Sequence, residues 1–107
     1  MKKTLHFEVQ IDENYLPLNI EMQASDAATK ETDIKALMVS AWVAKNRETL
    51  RIDLWTKDMP VDEMKIFFHQ TLVGMKDTYL RATQDTKMAE TMGDFCDYFA
   101  EKLNLKQ

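Results

Sequence analysis

The sequence predicts an α+β fold in which a four-stranded antiparallel sheet, made of two hairpins, is followed by two antiparallel helices packed on one of its faces. Three observations carry that expectation. Apolar and polar residues alternate in successive stretches before Thr56, the apolar period lengthens to that of a helix from Pro60 onward, and turn-forming residues stand at the junctions.

The first stretch, "TLHFEVQI", sets Leu5, Phe7, Val9 and Ile11 against His6, Glu8 and Gln10, which is the pattern of a half-buried strand. "DENYLP" follows as a turn, with Asp12 and Asn14 supplying side-chain acceptors and Pro17 fixing φ. "LNIEMQA" alternates again through Leu18, Ile20 and Met22 and closes the first hairpin. Residues 24–33, "ASDAATKETD", carry no large apolar group and are expected to form a solvated loop. "IKALMVSAWVA" fits two periods: Ile34, Leu37, Met38 and Ala41 suit a helix turn, whereas Val39, Ala41 and Val43 suit a strand. The stretch "TLRIDLW" decides for the strand, because its alternation of Leu50, Ile52 and Leu54 with Arg51, Asp53 and Trp55 gives the earlier stretch a partner. A two-residue turn at Asn46-Arg47, with Asn46 tolerating positive φ, aligns Val43 with Leu50, Ala41 with Ile52 and Val39 with Leu54. Met38, Ser40, Trp42, Arg51, Asp53 and Trp55 then share the opposite face.

From Pro60, the residues Val61, Met64, Phe68, Leu72, Met75, Tyr79 and Ala82 form one helical stripe. Asp58 is expected to cap this helix, Pro60 suits its first turn, and Asp62 and Glu63 complement its positive end. "ATQD" ends it, and Asp85 stands where it can cap a second helix with Met88, Met92, Phe95, Cys96, Phe99 and Leu103 on its apolar side. Gly74 and Gly93 fall inside these helices. In an antiparallel pair turning near residue 84 they come roughly opposite one another, where small residues permit close approach.

At 107 residues the chain is expected to be a single domain, 1–107, with the sheet in residues 1–56 and the helical pair in residues 58–104. Apolar residues at 45% and charged residues at 30% mark a globular chain rather than a disordered one. The net charge of −4 argues against phosphate backbones and anionic membrane surfaces, both of which are bound through Lys/Arg patches. No apolar run approaches the length of a signal-peptide core or a membrane span, and the lone Cys96 excludes an intrachain disulfide, so a soluble cytoplasmic protein is expected.

The stretch 50–72 gathers Asp53, Asp58, Asp62, Glu63 and His69, which raises the question of a reaction centre. Asp62 and Glu63 have the positions of helix-dipole partners, and His69 has Lys65 and Lys76 as helical neighbours, a poor setting for a metal ligand. His6, His69 and Cys96 come from separate elements without paired metal-ligand spacing. Cys96, between Phe95 and Phe99, is expected to be a buried small hydrophobe with a raised pKa rather than a nucleophile. With two glycines in the chain, phosphate-cradling loops are excluded. No catalytic, cofactor-binding or metal-ligating residue is therefore assigned, and no enzyme activity is expected. The reading from a different class is a small enzyme or ligand-binding domain using a cleft near Asp53, Asp58 and His69.

Other residues point to contact surfaces. Trp42 and Trp55 share the sheet face away from the helices, and such a face favours a partner, including a second copy of the chain. Ile66, Val73 and Leu80 recur every seven residues beside the main stripe of the first helix, where they meet either the second helix or a partner. Glu90, Asp94, Asp97 and Glu101 line one side of the second helix, either as a solvated face or as a docking ridge for a basic partner.

The strings "TLRIDLWTKDMPVDEMKIFFHQTL" and "MGDFCDYFAEKLNL" resemble the gliding motility protein GldC family of gliding bacteria in the Bacteroidetes group. The likeness runs essentially end to end, is densest over Leu50–Leu72 and Asp94–Leu103, and is least typical over residues 24–33. The resemblance implies a small cytoplasmic accessory protein linked to the gliding machinery, which in this group is tied to a protein secretion system. It implies protein partners within that machinery, no enzyme activity and no cofactor, and it carries over no catalytic or ligand residue.

Overall fold

The computed structural model describes residues 1–105; residues 106 and 107 lie outside the described part. Five strands precede two helices: β1 (Leu5–Ile11), β2 (Pro17–Ala24), β3 (Glu31–Ile34), β4 (Ala36–Val43), β5 (Glu48–Trp55), α1 (Val61–Thr83) and α2 (Thr86–Lys102). The fold class is α+β, and the chain divides into one compact unit of strands, Met1–Met59, and one of helices from Pro60 onward.

In the first unit the strands form two antiparallel sheets, β1-β2-β3 and β4-β5, in place of the expected single four-stranded sheet. The physical cause lies at Lys35. It is the one residue between β3 and β4, and the extended run 31–43 changes its partner there, pairing with β2 before it and β5 after it. β3 occupies the end of the expected loop. It pairs with β2 at Ile20↔Ile34 and Met22↔Glu31, and such backbone bonding at a sheet edge requires no apolar alternation. In the β1–β2 hairpin Phe7 faces Met22 and Val9 faces Ile20, which is fully buried. The turn is held by Asp12, whose Oδ1 accepts the backbone N–H groups of Asn14 (2.8 Å) and Leu16 (3.0 Å), while Tyr15 takes the left-handed conformation at φ 64°.

The β4–β5 hairpin pairs Val43 with Glu48, Ala41 with Leu50, Val39 with Ile52 and Leu37 with Leu54. This register is two residues from the expected one, because the connection is a four-residue loop, Ala44–Arg47. The N–H groups of Asn46 and Arg47 both bond to the Val43 carbonyl, and Arg47 rather than Asn46 takes positive φ, at 55°. A slip of two preserves every face, so Trp42, Ser40 and Met38 still lie with Arg51, Asp53 and Trp55. After β5, Thr56 is 1% exposed, with its N–H on the Lys35 carbonyl (2.8 Å) and its hydroxyl on Asp58 (2.7 Å). The Lys57 N–H reaches the Pro17 carbonyl (3.0 Å), which ties the hairpin to the start of β2.

In the second unit Pro60, extended at ψ 146°, occupies the N-cap position of α1 without a side-chain cap bond. Asp58 stands upstream of the cap position and is engaged by Thr56 and Lys35, so the expected cap is not formed. Asp62 and Glu63 do lie in the first turn. Gln84, left-handed at φ 58°, ends α1, and Asp85 caps α2 by accepting the Met88 N–H (3.1 Å) and the Tyr79 hydroxyl (3.0 Å). The two-residue link makes an antiparallel helical hairpin. α2 closes with Asn104 at φ 55°, the Leu105 N–H on the Ala100 carbonyl and the Asn104 N–H on Glu101, which is a Schellman arrangement with asparagine in the usual glycine position.

The buried side of α2 is a seam of small residues, Ala89, Cys96 and Ala100, in register with Gly93. A Cβ built on Gly93 would lie 3.4 Å from Cδ of Lys76, so α1 passes close at this point. Gly74 has open space where a Cβ would go, so the expected glycine-to-glycine approach is replaced by Gly93 against a lysine stem. Further along α1, toward its start, the His69 ring stacks on Phe99 with centroids 6.1 Å apart and planes 14° from parallel.

Candidate functional site

Two of the acids of residues 50–72, Asp53 and Asp58, are held by partners near at hand. Asp53 forms a two-point ion pair with Arg51, Nη2 to Oδ1 at 2.8 Å and Nε to Oδ2 at 3.3 Å, and Arg51 also donates from Nη1 to the Ser40 hydroxyl at 2.6 Å. Asp58 accepts from the Thr56 hydroxyl (2.7 Å) and the Lys35 ammonium (3.1 Å), and these two bonds hold its carboxyl below the ordinary value of 3.8. The same contact raises the Lys35 ammonium above its ordinary 10.5. Asp12 is lowered likewise, first by the Lys57 ammonium at 2.9 Å and then by the backbone N–H of Leu16. Asp62 and Glu63 lie in the first turn of α1, and His69 is stacked on Phe99. Among the described residues no group of three or more His, Cys, Asp or Glu could hold a metal ion. Cys96 is buried, and burial pushes its thiol above the ordinary 9.0, so it stays protonated at neutral pH.

The β4–β5 hairpin carries the two tryptophans. On its polar face Trp42 stands opposite Thr49 and Trp55 opposite Ala36, at the two ends of the ladder, with the Ser40–Arg51–Asp53 network between them. Trp42 is 61% and Trp55 58% exposed. The other face is apolar and its middle is open, with Leu50 59% and Ile52 49% exposed. β5 is the last strand of its two-stranded sheet, so its outer edge meets no further strand among the described residues.

The helical pair distributes the remaining candidates. Ile66 and Leu80 are exposed and Val73 is half-buried. Leu80 and Glu90 come together in a shallow groove of about 330 Å³ between α1 and α2, with Lys76, Asp77 and Gly93. Asp94, Asp97 and Glu101 continue along α2, all exposed. The α2 stripe expected to be apolar and inward is split: Phe99 and Met92 are half-buried, whereas Met88 and Phe95 are about half exposed, at 49% and 50%. The seam Ala89–Gly93–Cys96–Ala100 takes the inward place. Its 4-3-4 spacing stands in the sequence, and weighing small residues rather than large ones would have found it. The Arg51–Asp53 pair was legible in the same way, because residues two apart on a strand share a face.

Fold and surface together define a small α+β protein in which Asp12, Asp53 and Asp58 are engaged in local ion pairs and two tryptophans stand open on a hairpin. The chain belongs to the gliding motility-associated GldC-like family, whose model matches residues 17–105. That family is described by its association with gliding motility. No curated protein matches the chain, and no solved structure does. No helix among the described residues is long and apolar enough to cross a membrane.

Proposed function

We infer that the chain is a non-catalytic accessory protein of the gliding machinery that works in the cytoplasm through protein–protein contacts. Membership of a motility-associated family supports the setting. The observation that carries the contact reading is the pair Trp42 and Trp55, both more than half exposed on one face of one hairpin. Large aromatic side chains left in water on an ordered strand are the residues that supply most binding energy when a partner covers them. The partner is a protein of the same machinery, and the chain also associates with itself. The ridge Glu90, Asp94, Asp97 and Glu101 offers a second, salt-sensitive contact for a basic surface, with Ile66, Val73 and Leu80 on the neighbouring helix.

Affinity capture from a gliding cell tests this. Wild-type chain, a Trp42→Ala/Trp55→Ala variant and a variant with Glu90→Gln, Asp94→Asn, Asp97→Asn and Glu101→Gln are compared by mass spectrometry. Loss of a gliding-machinery protein from the tryptophan variant, with circular dichroism unchanged, is the expected result. Identical captures from all three chains would overturn the reading.

A further inference from the structure

We propose that β5 pairs with β5 of a second copy, edge to edge and antiparallel about a two-fold axis at Ile52, so that Arg51 of each copy faces Asp53 of the other. This rests on the self-association stated above and specifies its geometry.

Two observations converge on that axis. The first is the backbone. The Thr56 N–H bonds to the Lys35 carbonyl, so even-numbered residues of β5 turn their N–H and C=O groups toward β4. Thr49, Arg51, Asp53 and Trp55 therefore turn theirs outward. This open stretch is bounded on one side by Arg47, whose N–H is used in the hairpin loop, and on the other by Lys57, whose N–H is taken by Pro17. Its midpoint is Ile52. The β4–β5 ladder runs its full length without a register shift, and β5 contains no proline, so the edge lacks two of the devices that usually blunt one.

The second observation is the charge pattern. Antiparallel self-pairing through outward-facing residues allows only registers that differ by two. Centring on Arg51 sets the two arginines against each other, and centring on Asp53 does the same with the two aspartates. Centring on Ile52 sets Arg51 against Asp53 twice and makes a square of four alternating charges from the pair already formed within each strand. The same register places Trp55 of one copy opposite Thr49 of the other, in the cross-strand row that Trp42 occupies. On the reverse face it joins Leu50 to Leu54 and Ile52 to Ile52, so the apolar rows of the two hairpins become continuous. The outward residues of β4 are Ala36, Met38, Ser40 and Trp42, with no charge to select a register.

The test uses the full chain in analytical ultracentrifugation over a concentration series. Wild type is expected to dimerise. Arg51→Asp gives an acidic edge and Asp53→Arg a basic one, and each alone is expected to weaken self-association about tenfold or more. Mixed one to one, the two variants are expected to form a heterodimer near wild-type affinity, a result that a purely intramolecular role for the pair does not produce. As a second measurement, Ile52→Cys in a Cys96→Ser background is expected to form an intermolecular disulfide, because Ile52 faces its own copy at a non-hydrogen-bonded pair. Leu50→Cys in the same background is displaced from its copy by about four residues and is expected not to cross-link. A wild-type chain that stays monomeric, variants that dimerise unaided, or a mixture that does not associate would each overturn the proposal. A monomeric chain that still captures its partner through Trp42 and Trp55 overturns self-pairing alone and leaves the partner reading intact.

Discussion

Asp12 holds a depressed pKa through a short bond to the Lys57 ammonium joined by backbone N–H groups, and Asp58 through the Thr56 hydroxyl joined by the Lys35 ammonium. A carboxyl whose folded pKa lies below its unfolded value stabilises the fold above the unfolded value, and the contribution is lost as pH falls through the folded one. The acid-side loss therefore begins near the ordinary 3.8 and completes below it. Thermal melting followed by circular dichroism should show a midpoint that drops across that window. An Asp12→Asn/Asp58→Asn chain should melt lower than wild type at neutral pH and lose less on acidification. Lys35 has the opposite sign: its raised pKa supports the fold below 10.5, and that support is lost as pH rises through the higher folded value. At Ile20, fully buried opposite Val9, replacement by alanine should lower stability by about 2–5 kcal/mol in chemical denaturation.

At the scale of elements, the helical hairpin has a free glycine and a constrained seam. At Gly74 no atom lies within 4 Å of the place an alanine methyl would take, so Gly74→Ala should raise stability by about 0.5–1 kcal/mol through helix propensity alone. Ala100 is 5% exposed on the seam, and Ala100→Leu should cost about 1–3 kcal/mol by overpacking. Denaturant midpoints of the two variants, moving in opposite directions, check both. These elements also show what could be read in advance. The hairpin faces were legible because a strand alternates strictly, so even a register wrong by two residues left Trp42 and Trp55 together. The loop length was not, because Arg47 adopts positive φ without the glycine or asparagine that normally marks it. β3 is not legible because backbone bonds to β2 hold it, and with Ile34 as its one apolar residue "ETDI" shows no apolar alternation. The inward face of α2 is only partly legible: Cys96 of the expected stripe is buried, but Ala89 and Ala100 share that face because close helix approach selects small residues, while Met88 and Phe95 stand half exposed.

Across the whole molecule the net charge is −4, and acidic groups outnumber basic ones 18 to 14. Counterion release therefore offers little toward binding polyanions. The protein should remain in the supernatant when sedimented with vesicles rich in anionic lipid at physiological salt, and should not retard duplex DNA in a gel. Specificity must then come from shape and from local pairs such as Arg51 with Asp53. Within the strand unit, Lys35 joins the two sheets through one backbone step, and its ammonium and carbonyl hold the residues that leave β5. A pull on the far hairpin has a short mechanical route through this joint into the three-stranded sheet, with Lys57 on Pro17 and Asp12 as a parallel tether. In a chain of a gliding motility-associated family, that junction is where tension on one ladder would first be felt by the other.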